Sequence, residues 1–262
     1  MPAVMTHYQL GKLVLEQLNQ KERNLINQHR EMFDLGTQGP DLLFFYRPYG
    51  KNRVSSHGHM LHSEEAPVFL NHLYKIRKLE DKARTAYIMG VCCHYALDRQ
   101  AHPYVNEYAP TPEKHQLMES SLDRLIINEY HISKKRYSVL PCKHIHVGVL
   151  KKVYSQVTKK ELREAAIWMR CMNKILDYKV VMTIIERLTG KKGMYTSLCV
   201  PRFVEHPYTT ALVPCFQKAI LDACELIHLY GDKNTTEEVF RKATQHNFEG
   251  VVVGKEGLNE IY

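Results

Sequence analysis

The sequence has no run of about 18 apolar residues, so nothing in it reads as a membrane-spanning helix. It shows no basic, then apolar, then small-residue opening, which argues against export and leads us to expect a cytoplasmic protein. Convincing stretches of alternating strand residues are missing too, which leaves helix as the regular element. No internal repeat or low-complexity tract interrupts the pattern, so one all-α domain is expected over residues 1–262. There is a single tryptophan, Trp168. The seven cysteines are odd in number, irregularly spaced and include the adjacent pair Cys92-Cys93, which excludes a disulfide framework and reads as reduced thiols. A chain of 262 residues can bury a core without such staples.

What is present is a basic excess, 36 Lys and Arg against 28 Asp and Glu, for a net charge of +8. The excess is spread over Lys134-Lys135-Arg136, Lys151-Lys152, Lys159-Lys160 and Lys191-Lys192. Such charge attracts phosphate, headgroups or nucleic acid without choosing among them, and solvated helix faces are the plainer account of each pair.

Helical periodicity runs through most of the chain. Thr6 can cap a first helix carrying Leu10, Leu13, Val14 and Leu18, and a second helix from about 21 to 35 stops at Gly36. Residues 48 to 58 read as a loop, followed by a helix over 63 to 73 or beyond. The next helix, about 81 to 102, is expected to close at Pro103, since the residue before proline disfavours helical geometry. Thr111-Pro112-Glu113 opens another, reaching about His131. Thr158 and Glu161 form a capping-box pattern ahead of one long helix ending at Gly190, and two further helices cover about 210 to 230 and 236 to 245.

Within two of these helices, acids and imidazoles recur at intervals of four: His94, Asp98 and His102, then His115, Glu119 and Asp123. Four residues carry a helix about 40° past a full turn and about 6 Å along its axis, so each set lines one face. His94 and His102 are roughly 12 Å apart along that axis, too far to share an ion. Asp98 lies between them, which suggests a polynuclear centre with a shared carboxylate, His115 and Glu119 joining one end. Considered alone, His94 with Asp98 is as well explained by an ordinary helix-face pair. Six such residues in neighbouring segments favour metal.

The chain resembles the zinc-dependent phospholipase C family of bacteria over roughly residues 5 to 125. The stretches that carry the resemblance are Thr-His-Tyr-Gln-Leu-Gly at 6–11, Gly-Thr-Gln-Gly-Pro-Asp-Leu-Leu-Phe-Phe at 36–45, His-Met-Leu-His at 59–62, residues 94–103, and His115 with Glu119. The resemblance implies an all-α fold with two or three zinc ions. By it, His62, His94 and Asp98 would hold one zinc and His102, His115 and Glu119 a second. Asp98 would bridge towards a third near His7, a site that the family completes with an N-terminal tryptophan; this chain would need its terminus or another carboxylate there. Asp41 matches the family's acidic residue beside the bridging water and is implied as the catalytic base.

From the residues alone, Asp41 is a turn residue after Gly-Pro and His7 a first-turn helix residue. The choice among His57, His59 and His62 rests on a loop-to-helix junction; His62 is favoured, His59 held in reserve. Asp123, a turn further along, is expected to support the ligands rather than join them. Cys92 and Cys93 point away from His94 around the helix, into the core. Phe44 and Tyr46, with Phe45 and Tyr49, either wall a substrate cleft or pack beneath the site. His144 and His146 have no nearby carboxylate and read as surface residues. Residues 140–262 show no further acid and imidazole set and are expected to complete the bundle.

Zinc with three protein ligands keeps an open position for water. The expected activity is therefore hydrolysis of a phosphodiester, on a small phosphoester or a phospholipid met at a transient membrane contact. A zinc nuclease or nucleotidase, with nucleic acid as substrate, and a metal-holding protein without catalysis are the alternatives.

Overall fold

The computed structural model describes residues 3–77, 81–141, 145–190 and 193–253. Among them the regular structure is helical: α1 Val4–Gln17, α2 Gln20–Gln28, α3 Arg30–Gly36, α4 Arg53–His62, α5 Ala66–Ile76, α6 Lys82–Tyr108 and α7 Pro112–Glu129. They are followed by α8 Arg136–Val139, α9 Val147–Val153, α10 Lys159–Ile175, α11 Lys179–Thr189, α12 Leu212–Gly231 and α13 Glu237–Ala243. A 3-10 turn over Gly39–Phe45 links α3 to α4, and among the described residues no strand occurs beyond an isolated bridge between His246 and Val252.

Side-chain caps place six of the thirteen described α-helix starts. Asn19 with Glu22, Asn52 with Ser55 and Thr158 with Glu161 form reciprocal capping boxes, while Asp81, Thr111 and Thr236 each accept a first-turn N–H. Several expected boundaries shift. Thr6 lies inside α1, which begins at Val4, and its hydroxyl and N–H are taken up by a distant acid instead of capping. The expected helix over 21–35 breaks at His29, and the long helix after Thr158 breaks between Ile175 and Lys179. Residues 53–58, expected as loop, open α4, because the Asn52 and Ser55 box satisfies orphan N–H groups at its start.

The largest correction concerns Pro103, where the helix does not end: α6 runs through it to Tyr108. Proline removes one helical hydrogen bond and crowds the carbonyl four residues back. Here that carbonyl, on Arg99, faces Gly250, where a Cβ would meet the Arg99 oxygen at 2.7 Å and Pro103 Cγ at 2.6 Å. The C-terminal segment therefore packs directly on the interruption.

Helix α6 forms the axis of the molecule, with buried residues all round from Ala83 to Val105, as expected for a helix enclosed by others. It packs chiefly against α12 and α3, and α1 lies against α6, α7 and α12. At the α3 crossing Gly36 faces Gly90, and a Cβ on either would fall within 2.3 Å of the other helix's backbone, so the chains touch main chain to main chain. One core cluster takes residues from Val4 to Phe248, including Cys92 and Cys93. A satellite of Leu176, Met182 and Cys199 anchors α11. The described cysteines are all free thiols, and no described helix is long and apolar enough to cross a membrane.

Candidate metal centre

Five segments bring imidazoles and carboxylates to one side of α6. That helix supplies His94, Asp98 and His102 on a single stripe, α1 supplies His7, the 3-10 turn Asp41, α4 His62 and α7 His115 with Glu119. All are buried except His115, which is partly open. Three sets have ligand atoms mutually within 4.8 Å: His7, His94 and Asp98; Asp41, His62 and His94; His102, His115 and Glu119.

The orientation of the rings is set from outside each set. His94 presents Nδ1 to the Thr37 carbonyl at 3.1 Å, His62 to the Gly58 carbonyl at 2.8 Å and His102 to the Phe248 carbonyl at 3.0 Å. A carbonyl can only accept, so each Nδ1 carries a proton and Nε2 is the nitrogen left to face the set. Gly39 adopts φ +52° and lies so close to His94 that a Cβ would fall 2.4 Å from its ring, which lets the turn carry Asp41 over the imidazole.

The distances within the sets match a metal polyhedron better than a hydrogen-bond network. His94 Nε2 is 3.0 Å from Asp98 Oδ2 and His62 Nε2 is 3.0 Å from Asp41 Oδ1. Yet neither buried nitrogen makes an aligned hydrogen bond. His7 Nε2 to Asp98 Oδ1 is 3.3 Å, His102 Nε2 to Glu119 Oε1 3.6 Å and His115 Nε2 to Glu119 Oε1 3.5 Å. Ligands bonded to a tetrahedral zinc at about 2.0–2.1 Å stand roughly 3.3 Å apart, with lone pairs aimed at the centre and not at one another. The buried Nε2 atoms of His62 and His94, close to carboxylate oxygens yet not aligned with them, fit that arrangement. The two oxygens of Asp98 face different histidines, as a bridging carboxylate requires.

Electrostatics agree with a cation-seeking site. Burial would raise the Asp98 carboxyl, but the His94, His102 and His7 rings outweigh it and hold it well below the carboxylate range. Asp41 and Glu119 are likewise held low against burial by the positive groups around them. Burial lowers His102, yet Asp98, Glu119 and Glu249 push it up to about 10. His7 is lowered by burial and by the neighbouring His94.

His62, not the reserve His59, joins the centre; His59 is exposed and its ring lies tilted against Phe44, while His57 is buried and faces Glu65 at 3.9 Å. Phe44 reaches the site, its ring 5.1 Å from that of His62, whereas Tyr46 packs on the core beneath Arg47. Asp123 stands apart from the ligand sets: it accepts the N–H and hydroxyl of Thr6 at 2.8 Å, fixing the first turn of α1 next to His7. His146 is exposed, and His144 lies outside the described residues.

One contributor was not anticipated. Residues 246–250 form a strap across α6: Phe248 packs its ring on His62, His94 and Tyr95, and its N–H donates to the His62 carbonyl. Its own carbonyl receives His102, and Glu249 stands 3.5 Å from the same nitrogen while accepting from Asn106 at 2.6 Å. The turn itself was readable, since Asn247 accepts the N–H of Glu249 and Val251 and Gly250 follows with φ +77°. Its destination was not. Beside His115 and Glu119 opens a cleft of about 450 Å³ whose walls include Asn106, Ala109, Thr111 and Gln116.

A family model described as zinc dependent phospholipase C matches residues 6–173, which contain all eight of these acid and imidazole residues. Neither the curated proteins nor the solved structures include a match to the chain.

Proposed function

The chain belongs to the zinc-dependent phospholipase C family, and from that premise we propose that it is a zinc-dependent phosphodiester hydrolase that cleaves a phospholipid or related phosphoester. The observation that carries this reading is the convergence of imidazole nitrogens and ionised carboxylates at 3.0–3.6 Å, with the buried Nε2 atoms of His62 and His94 making no aligned hydrogen bond. Imidazole with carboxylate is a donor set that suits zinc, and three protein ligands leave a position for substrate or water.

By the family resemblance His62, His94 and Asp98 would hold one ion; the ligand atoms of Asp41, His62 and His94 lie together, so an oxygen of Asp41 would stand beside it. His102, His115 and Glu119 would hold a second next to the cleft, and His7 with the other oxygen of Asp98 would contribute to a third. Zinc at these positions would polarise phosphoryl oxygens and bring the pKa of bound water towards 7. Asp41, ionised and held at the ligand set, would accept the proton of the attacking water at its carboxylate. The cleft beside His115 would receive the group esterified to phosphate, and cleavage on its glycerol side would leave a phosphorylated headgroup. Phe44, over His62, would wall the opposite side.

Elemental analysis of purified protein before and after chelation, alongside hydrolysis of p-nitrophenyl phosphorylcholine, a chromogenic nucleotide diester and a monoester, tests this reading. Two to three zinc per chain with turnover of the choline diester supports it. Preference for the nucleotide ester would reassign the protein to nucleotide chemistry, and bound zinc with no turnover to a non-catalytic role.

A further inference from the structure

Ten of the twenty large hydrophobic side chains exposed among the described residues fall between 175 and 208. They include Val180 at 73 %, Ile184 at 51 % and Leu188 at 82 %, spaced four apart on the outer face of α11, and Phe203 at 77 %. An apolar stripe of this kind on a solvent-facing helix is unusual unless something covers it. The inner face of α11 is spoken for by Met182, Ile185 and Glu186, so the stripe is not a core face that has slipped outward.

We propose that the outer face of α11, with Phe203 and its neighbours, docks on an anionic lipid bilayer, the apolar side chains entering the acyl boundary. The inference rests on the lipid-hydrolase reading for the choice of partner. Charge favours it independently. Residues 174–205 carry Lys174, Lys179, Arg187, Lys191, Lys192 and Arg202 against Asp177, Glu186 and Glu205. Of those three acids Glu186 is buried and engaged, its Oε1 accepting the N–H groups of Tyr195 and Thr196 at 2.7 and 2.6 Å. Basic residues flanking an apolar helix face are the pattern of interfacial helices, which lie in the headgroup plane and prefer anionic lipid.

The face is also tied to the metal centre. Glu186 holds the turn that carries Ser197, and Ser197 donates to Gln116 at 2.8 Å, next in sequence to His115 in the cleft wall. The Ser121 hydroxyl on α7 contacts the N–H groups of Glu205 and His206 at 3.2 Å, and Tyr208 stacks on Tyr108 of α6 with ring centroids 4.6 Å apart. Tyrosines at such a rim suit the headgroup layer, where one end of the ring is wet and the other apolar. Docking by α11 would thus hold the cleft at a fixed place relative to the membrane surface.

Co-sedimentation with vesicles of phosphatidylcholine, with and without added phosphatidylserine, tests the proposal. The unaltered chain should partition onto the phosphatidylserine vesicles, less so as salt rises, since the basic flanks are screened. Val180→Asp with Leu188→Asp should lower that partition by about tenfold or more, because it replaces apolar groups that enter the acyl boundary with charge. Leu221→Asp, at a position 65 % exposed on α12, should leave it unchanged. Both altered residues stand in solvent, and a matching thermal melt verifies the fold; Val180→Ser with Leu188→Ser replaces the pair should the acids disturb it. Binding that survives the double substitution, or no binding to either vesicle, overturns the proposal. So does a dimer that the substitution dissociates, which would give the face to a second copy of the chain. Hydrolysis of soluble p-nitrophenyl phosphorylcholine is measured on the same samples: failure of all ester turnover strikes the hydrolase reading, whereas loss of vesicle binding alone strikes only the docking.

Discussion

His102 shows how much of this centre is decided by single atoms. Its Nδ1 is committed to the Phe248 carbonyl, so only Nε2 can bind a metal, and without metal that nitrogen is protonated because Asp98, Glu119 and Glu249 push the ring up to about 10. A folded value above the unfolded value of about 6.5 means that protonation stabilises the metal-free fold fully below about 6.5 and that this contribution is lost as pH rises through 10. Asp98 and Glu119 carry the opposite sign: held low, they stabilise the fold above about 4 and lose that contribution as pH falls through their depressed values. Zinc must displace the His102 proton, so zinc binding at neutral pH should release protons and tighten as pH rises. Calorimetry in buffers of different ionisation enthalpy measures this, and an affinity independent of pH on the alkaline side of neutral would contradict it. Asp41 offers a cleaner separation of binding from chemistry. Asp41→Asn retains an oxygen for the ligand set but can no longer take a proton, so zinc content should stay near that of the unaltered chain while turnover drops by about 10²–10⁴-fold. Unchanged turnover would remove Asp41 from the role of base.

At the scale of elements, the centre depends on a close approach that leaves no room for a side chain. Gly39 combines φ +52° with contact against the His94 ring. Gly39→Ala should cost about 1–2 kcal/mol for the backbone conformation alone, and the added methyl must also displace His94 or the turn that carries Asp41. Lower zinc content at unchanged helicity, read by elemental analysis and circular dichroism, is the expected outcome; full zinc content would show that the turn can move without consequence. The interval of four linking His94, Asp98 and His102 was legible in the sequence because it depends only on helix geometry, and so was its partner stripe of His115 and Glu119. Helix ends were less legible. The break at His29 and the gap between Ile175 and Lys179 follow apolar patterns that continue across them, so periodicity sees one helix where packing makes two. Pro103 failed as a stop signal for a reason that only tertiary structure supplies, namely Gly250 seated against the Arg99 carbonyl and the proline ring. His62 is favoured over His57 and His59 in the sequence, but the register of α4 that carries it to the centre is fixed by the Asn52 cap, in a stretch that reads as loop from sequence.

Across the whole molecule, the candidate site is not contained in the region where the family likeness lies. The matched residues end at 173, yet the strap at 246–250 closes over the centre from beyond them. It works on two ligand sets at once: the Phe248 ring lies 4.9 Å from His62 and 5.7 Å from His94, while its carbonyl fixes His102. Tyr95 secures the strap by donating to the His246 carbonyl at 3.0 Å, and Gly250 locks it on Pro103. Phe248 is fully buried. Phe248→Ala should therefore act in two ways that separate by measurement. Loss of the ring leaves a cavity and should lower stability by about 3–5 kcal/mol, seen as a fall in melting temperature with or without zinc. Its backbone carbonyl survives the substitution, so His102 keeps its partner and the set with His115 and Glu119 should retain its ion, whereas His62 and His94 lose the surface that orients them and the set around Asp41 should bind more weakly. Glu249→Gln reverses the emphasis. It removes a carboxylate beside His102 and leaves the packing intact, so stability should change little while the His102 set loses about 10–100-fold in zinc affinity, the usual cost of losing a supporting partner. Zinc titrations on the two variants should thus weaken different ions. Equal loss at both sets in either variant would mean that the strap acts only as a general lid, and no loss in either that the centre is complete within the matched residues.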